Sequence, residues 1–430
     1  MTAMPTPGRR SAAQINEDEA AEPSGEPPSS MTRSRWRLPR LHALDWIAIG
    51  LLLVGCLCVA FGALPVADAR ATVVRLVPLL LFLGSVIILA ELTAAAEVFD
   101  VVAIRLSIIG RGRYVLLFLL CVTLASVTTI TLNLDTTAVL LTPVILALAS
   151  TLGISPLPLA MTTVWLSNTA SLLLPVSNLT NLLAADRVAL SPSEFAAKMW
   201  APQLAAIVVT AACLWIWYWR RGRRGGQLRY ELPRRREPAD KPLFTVAAVV
   251  CLVFVVGILV GVPIGVASSI SAGALLIAFL VRRKSELRWA LIPWRLLVFV
   301  IGLFLVIDTI SLHGLDALLH GLMGTDDNAL GAARAAAAGA GLSNVVNNLP
   351  AYVAGESVIP VDNHTQLLAL LVSTNVGPVI TPWASLATLL WYERCHASGV
   401  KVPMGRFMWT GAILAVTALV ASVGVLVVMS

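Results

Sequence analysis

The sequence predicts an all-α integral membrane protein made of two inverted-topology repeats with re-entrant hairpins and broken helices. Three observations carry that prediction. The chain of 430 residues is 58% hydrophobic and 13% charged, whereas soluble domains carry about 25% charged residues. Its apolar residues fall in runs such as Leu243 to Leu259 and Tyr114 to Leu132, neither interrupted by a charge. Each run makes a helix of roughly 20 residues, the length that crosses a bilayer. Segments of the first half then recur, with matching residues, in the second. The composition alone excludes a soluble enzyme or a nucleic-acid-binding protein and makes the lipid bilayer the first partner.

Residues 1–42, rich in Pro, Ser, Glu and Arg, read as a disordered cytoplasmic tail, with Arg33 to Arg40 anchoring the first helix at the inner surface. A first membrane repeat, 43–219, contains spans at 43–64, 73–97, 158–185 and 198–219 and a hairpin at 114–149. A basic cytoplasmic loop, 220–241, leads to a connecting helix, 242–262. The second repeat, 263–430, has spans at 263–281, 293–311, 365–391 and 407–428 and a hairpin at 329–360. Because the connecting helix adds one crossing, each member of the second repeat runs opposite to its counterpart. Such inversion is the architecture of alternating-access transporters.

Charge placement fits this order. The net charge is +7, and 25 of the 31 Lys and Arg lie in five stretches: 1–42, 98–113, 219–241, 282–289 and 391–406. A nucleic-acid footprint would be continuous; these clusters alternate with apolar runs. Under the positive-inside rule they are cytoplasmic. The expected location is the plasma membrane, multi-pass, with the N-terminus in the cytoplasm and the C-terminus outside.

Asn168 to Leu179 reads N-T-A-S-L-L-L-P-V-S-N-L, and Asn375 to Leu386 reads N-V-G-P-V-I-T-P-W-A-S-L, with Asn, Pro and Leu in step at an offset of 207. Asn133 matches Asn344 at an offset of 211. These matches belong to four polar clusters inside apolar segments, from which the candidate substrate-binding residues are drawn. The first hairpin centre offers Asn133, Thr136 and Thr137, and the first broken helix Ser167, Asn168, Ser177 and Asn178. The second hairpin centre offers Ser343, Asn344, Asn347 and Asn348, and the second broken helix Asn375 and Thr381. Irregular polar backbone survives at membrane depth only where it lines a cavity or is buried in protein, and Pro175, Pro350, Pro378 and Pro382 interrupt the helices there. The plainer alternative is that such Ser, Thr and Asn bond neighbouring helices.

Intramembrane acids are the sharper signal, since a charge at the centre of a helix costs ~2.5–3.5 kcal/mol on insertion scales. Asp135 sits at the first hairpin centre between apolar flanks and is the first candidate for proton coupling. Glu91 and Asp308, offset by 217, are candidates for a second relay, with snorkelling or capping near a helix end as the alternative. The chain has no H-E-x-x-H, G-x-S-x-G or P-loop pattern, which argues against metalloprotease, serine hydrolase and ATPase activity. The six cysteines form no C-x-x-C, Cys56 and Cys58 point to different helix faces, and the five histidines sit at or beyond helix ends. No metal site and no cofactor are expected, and no enzymatic reaction.

D-T-T-A-V-L-L-T-P (Asp135–Pro143), S-N-T-A-S-L-L-L-P-V-S-N-L-T-N (Ser167–Asn181) and S-N-V-V-N-N-L-P-A (Ser343–Ala351) resemble the arsenite/antimonite permease family. That family lies within the ion transporter superfamily that includes sodium-coupled dicarboxylate symporters. The resemblance covers about 43–428 and departs from the family at Leu134, where many arsenite permeases place Asn before the Asp. It implies proton-coupled efflux of arsenite or antimonite, by the chain alone or with a cytoplasmic ATPase subunit, for which the 219–241 loop is the expected attachment. A homodimer is a further candidate assembly. None of the four polar clusters contains Lys or Arg; a neutral trihydroxy metalloid needs only their amides and hydroxyls. A small oxyanion or dicarboxylate of the citrate or sulfate type, coupled to sodium or protons, would have to use helix N-termini and remains the alternative, together with sodium/proton antiport.

Overall fold

The structure, a computed structural model, describes residues 43–220, 229–233 and 237–429. The tail at 1–42, with the anchor expected at Arg33 to Arg40, and half of the 220–241 loop lie outside the described residues. The described chain is helical, joined by turns and short irregular segments. Its helices are α1 (Ala43–Ala60), α2 (Val66–Ala95), α3 (Val98–Ile109), α4 (Tyr114–Thr131), α5 (Leu134–Thr136), α6 (Thr142–Thr151), α7 (Pro156–Thr169), α8 (Leu179–Arg187) and α9 (Pro192–Leu214), followed by α10 (Lys241–Leu259), α11 (Ile264–Arg282), α12 (Trp294–Ile310), α13 (Asp316–Met323), α14 (Ala329–Val346), α15 (Asn348–Val358), α16 (His364–Val376), α17 (Leu386–Ala397) and α18 (Met404–Met429).

Eight helical stretches among the described residues are long and apolar enough to cross a membrane. They include α2, α10, α11 and α18 and the extended α9 and α12, where the sequence places spans. The other two, Tyr114–Thr131 and Leu134–Thr151, are the legs of the first hairpin. By length these legs match a bilayer, but they are 50% and 56% buried, against 22% for Lys241–Leu259. Half or more of each leg is buried inside the protein. The second hairpin is less even, with legs of 18 and 11 residues. The spans expected at 158–185 and 365–391 are each broken in the middle. Helix α7 stops at Thr169 and α8 starts at Leu179; α16 stops at Val376 and α17 starts at Leu386.

The helices pair reciprocally. Helix α1 lies against α12 and α2 against α11, while α4 lies against α7 and α14 against α16. Exchanging the two halves turns each of these contacts into its partner, as a two-fold relation between halves requires. Helix α9 lies against its own counterpart, α18. Close approach depends on glycine: a Cβ on Gly302 would stand 2.7 Å from the Leu51 carbonyl carbon and from the Leu52 Cα, so α1 and α12 meet backbone to backbone.

The connecting helix is fixed at its start by Asp240. Its carboxylate accepts from the Leu243 N–H at 3.0 Å and pairs with Arg282 Nε at 2.9 Å. These bonds, led by that to Arg282, hold the Asp240 carboxyl below the usual range. Tyr230 docks the described part of the basic loop by donating to the Ser107 carbonyl at 2.6 Å.

Candidate functional site

Each half contributes a turn and a break. At the first hairpin tip Asn133 leaves the helix in extended backbone, and its Oδ1 accepts the Thr136 N–H at 2.6 Å. The Thr137 hydroxyl donates to the Asn133 carbonyl at 3.2 Å and shares a bond with Thr129 at 2.8 Å. Asn133 is therefore an N-cap: it satisfies a helix-start N–H that would otherwise be bare in the membrane. At the second tip Asn347 takes φ +95°, a backbone that L side chains rarely adopt, and its Oδ1 caps α15 by accepting from Leu349 N–H at 3.4 Å. By position in the turn Asn347 is the counterpart of Asn133. The sequence match of Asn133 with Asn344 is displaced by three residues, because Asn344 lies inside α14, one turn before the tip.

Asn344 braces the second break. Its Nδ2 donates to the Gly377 carbonyl at 2.9 Å, and its Oδ1 accepts from the Thr381 N–H at 3.1 Å and the Thr381 hydroxyl at 3.2 Å. Asn347 Nδ2 donates to the Trp383 carbonyl at 3.0 Å, and the Asn348 N–H donates to the Ala384 carbonyl at 2.8 Å. The first break is braced from α9: Gln203 accepts from the Leu172 N–H at 2.6 Å and donates to the Thr169 carbonyl at 2.9 Å.

The two breaks are bonded to each other in matching fashion. Asn168 Nδ2 donates to the Thr388 hydroxyl at 3.2 Å, and Asn375 Nδ2 donates to Asn181 Oδ1 at 2.7 Å. Asn168 and Asn375 differ by 207, as do Asn181 and Thr388, so one bond is the repeat image of the other. Asn375 Oδ1 also accepts from Asn178 Nδ2 and the Thr180 hydroxyl, both at 2.7 Å.

Both tips and both breaks open on one cavity. Asn133, Leu134 and Asp135 reach it from the first tip, and Val176, Asn178 and Leu179 from the first break. Asn347, Asn348 and Leu349 reach it from the second tip, and Ser385 and Leu386 from the second break. Phe82 and Leu83 of α2, with Leu296 and Phe299 of α12, form apolar walls. The capping residues of α8 and α17, Asn178 and Ser385, again differ by 207, so two helix N-termini, with their exposed N–H ends, border the space. Asp135 is the one ionisable side chain in this lining, which holds no Lys or Arg.

Of the residues expected from sequence, Asn133, Asp135, Asn178, Asn347 and Asn348 line the cavity. Asn168, Asn344, Asn375 and Thr381 stand behind it as braces. Thr136 and Thr137 close the first turn, Ser177 bonds the Leu174 carbonyl at 2.5 Å, and Ser167 and Ser343 bond carbonyls of their own helices at 2.8 and 2.9 Å. Glu91 and Asp308 lie outside the lining; Asp308 accepts from the Thr72 hydroxyl at 2.5 Å. Sequence reasoning missed Ser385, fully buried with no partner for its hydroxyl among the described residues, although the offset of 207 from Asn178 marks it. The described residues contain no cluster of three or more His, Cys, Asp or Glu that could hold a metal.

Comparison with known proteins identifies relatives of the chain. The profile of the citrate transporter family matches residues 43–360. An arsenical pump membrane protein of Escherichia coli is 32% identical over 369 residues, covering 80% of this chain and 84% of the relative. A putative arsenical pump membrane protein of Bacillus subtilis (strain 168) is 22% identical over 415 residues, covering 88% and 92%. Among solved structures, the YdaH transporter of Alcanivorax borkumensis matches 90% of this chain and 97% of its own at 14% identity and a TM-score of 0.49.

Proposed function

We propose that this chain, which belongs to the citrate transporter family and is a multi-pass membrane transporter rather than an enzyme, exports arsenite or antimonite in exchange for protons. The observation that carries the reading is the cavity lining: amides, a hydroxyl and one carboxylate, with no basic side chain. Trivalent arsenic and antimony travel at neutral pH as uncharged trihydroxy species, which donate and accept hydrogen bonds and need no counter-charge. Asn133, Asn178, Asn347, Asn348 and Ser385 supply complementary groups. Asp135 is the group that takes up and releases the proton, since an acid held inside a membrane protein costs stability that function must justify. The names of the relatives, arsenical pump membrane proteins, support the same substrate.

In this reading 43–219 and 263–430 are the two membrane repeats on either side of the connecting helix. The N-terminus and the basic loops face the cytoplasm and the C-terminus lies outside. The basic loop at 220–241 is the surface to which an ATPase subunit would attach; its residues 221–228 and 234–236 lie outside the described residues.

One observation favours a second reading, transport of a small oxyanion or dicarboxylate with sodium or protons. Two helix N-termini, at Asn178 and Ser385, border the cavity, and such termini bind anions without help from Arg. Proteoliposomes separate the two. Metalloid flux driven by an imposed pH gradient supports the first reading; sodium-dependent citrate or sulfate uptake without metalloid flux supports the second.

A further inference from the structure

Nine buried side-chain atoms among the described residues lack a hydrogen bond of ordinary geometry, and three of them, Arg187 Nε, Tyr352 Oη and Glu356 Oε2, belong to residues that interact with one another, the Tyr352 hydroxyl facing the Glu356 carboxyl. Buried polar atoms with so few partners are costly to keep, which marks this group as more than packing. The spot lies at the far end of α15 from the cavity. Glu356 is eight residues beyond Asn348, or roughly 12 Å along the helix. Tyr352 and Glu356, four apart, share a face of α15 and are 0% and 7% exposed. Arg187, the last residue of α8, donates through Nη2 to the Glu356 carbonyl at 3.4 Å. It is thereby seated beside the carboxyl while its Nε stays unused. The charged and titratable groups that face the Glu356 carboxyl are Arg75 of α2, Arg187 and Asp186 of α8, and Tyr352 of its own helix. Arg75 is itself laid over the Phe304 ring of α12, 5.8 Å from its centroid.

We propose that Glu356, with Tyr352 and Arg187, is a proton-binding site separate from the cavity, and that it locks the second hairpin. With the carboxylate ionised, Arg187 and Arg75 attract it and hold the leg that carries the tip residues Asn347 and Asn348. A proton from solvent adds to a carboxyl oxygen and cancels the charge; the attraction to both arginines falls away, and the neutral acid donates to the Tyr352 oxygen. Helix α15 is one leg, so release at Glu356 loosens its far end, while the tip keeps its bonds to Trp383 and Ala384. Asp135 then senses protons at the cavity and Glu356 senses them at the opposite end of the other hairpin.

The effect on transport rests on the function proposed above; proton binding itself does not, and it is measured first. The full-length chain in detergent is titrated between about pH 4 and 9 while the carboxylic C=O stretch is followed by infrared difference spectroscopy. The expected result is a band that disappears as pH rises, is lost in Glu356→Gln and is retained in Asp135→Asn. A titrating band unchanged in Glu356→Gln overturns the proposal. Arg187→Gln, which leaves the acid in place, is expected to move the midpoint to higher pH by about one unit, a tenfold change in proton affinity, because the ionised form loses a facing cation. An unmoved midpoint also overturns the proposal, even should Glu356→Gln fail to fold. In proteoliposomes Glu356→Gln is expected to flatten the pH dependence of metalloid flux. Absence of metalloid flux in the wild-type chain would count against the transport reading and leave the infrared result standing.

Discussion

At the first hairpin tip Asn133 caps its own turn, and the bonds of Asn133, Thr136 and Thr137 to described residues stay inside the hairpin. At the second tip the same kind of asparagine, Asn347, reaches out to Trp383, while Asn348 and Asn344 bond to Ala384, Gly377 and Thr381. The two halves therefore share a shape and differ in attachment. The self-contained tip carries Asp135, the ionisable group of the cavity; the tethered tip has Leu349 at the corresponding place and presents amides. The ionisable residue sits on the element with fewer bonds to break, and the neutral cavity-lining amides sit on the element held in register by its neighbour.

Stability measurements on single variants can break this comparison. Asn375→Ala should have the largest effect, because it strands Asn178 Nδ2, the Thr180 hydroxyl and Asn181 Oδ1; a loss of roughly 2–4 kcal/mol is expected in detergent-solubilised unfolding. Its repeat image Asn168→Ala removes one bond between the breaks, to Thr388, and should cost less, about 1–2 kcal/mol. Equal losses would show that the repeat image is also an energetic equal.

Asn344→Ala leaves the Gly377 carbonyl and the Thr381 N–H without the partner they have now, for roughly 2–3 kcal/mol. Asn133→Ala removes a single cap and should cost about 1 kcal/mol. If the two variants lose the same stability, the tips are attached alike and the contrast fails. Metalloid resistance in a sensitive host sharpens it further: Asn347→Ala and Asn348→Ala are expected to abolish resistance, whereas Asn133→Ala should weaken it.

Much of this arrangement is legible in the sequence. The spans follow from apolar runs, and the four polar clusters from Asn and Pro inside those runs. The offset of 207 marks Asn168 and Asn375 as repeat images, whereas their bonds to Thr388 and Asn181 emerge only in the fold. What is not legible is direction. Helical periodicity says where a side chain points only while the backbone is helical, and at Asn347, with φ +95°, it is not. Asn344 and Asn347 therefore look interchangeable in sequence, yet one braces the break and the other lines the cavity. The apolar walls, Phe82, Leu83, Leu296 and Phe299, are hidden for a different reason: they are ordinary residues of ordinary spans, singled out only by what lies opposite. Glu356 stands near the end of a hairpin, and its burial with Arg187 of α8 beside it has no mark in the sequence.

The proposed function makes Asp135 couple protons to metalloid movement through a cavity of neutral ligands. It is tested by arsenite or antimonite flux in proteoliposomes under an imposed pH gradient, comparing the wild-type chain with Asp135→Asn. The substitution is nearly isosteric and removes the titratable group from the cavity. The expected result is gradient-driven flux in the wild type and its loss in the variant, with the variant still folded. Full flux in Asp135→Asn with unchanged pH dependence would contradict the claim.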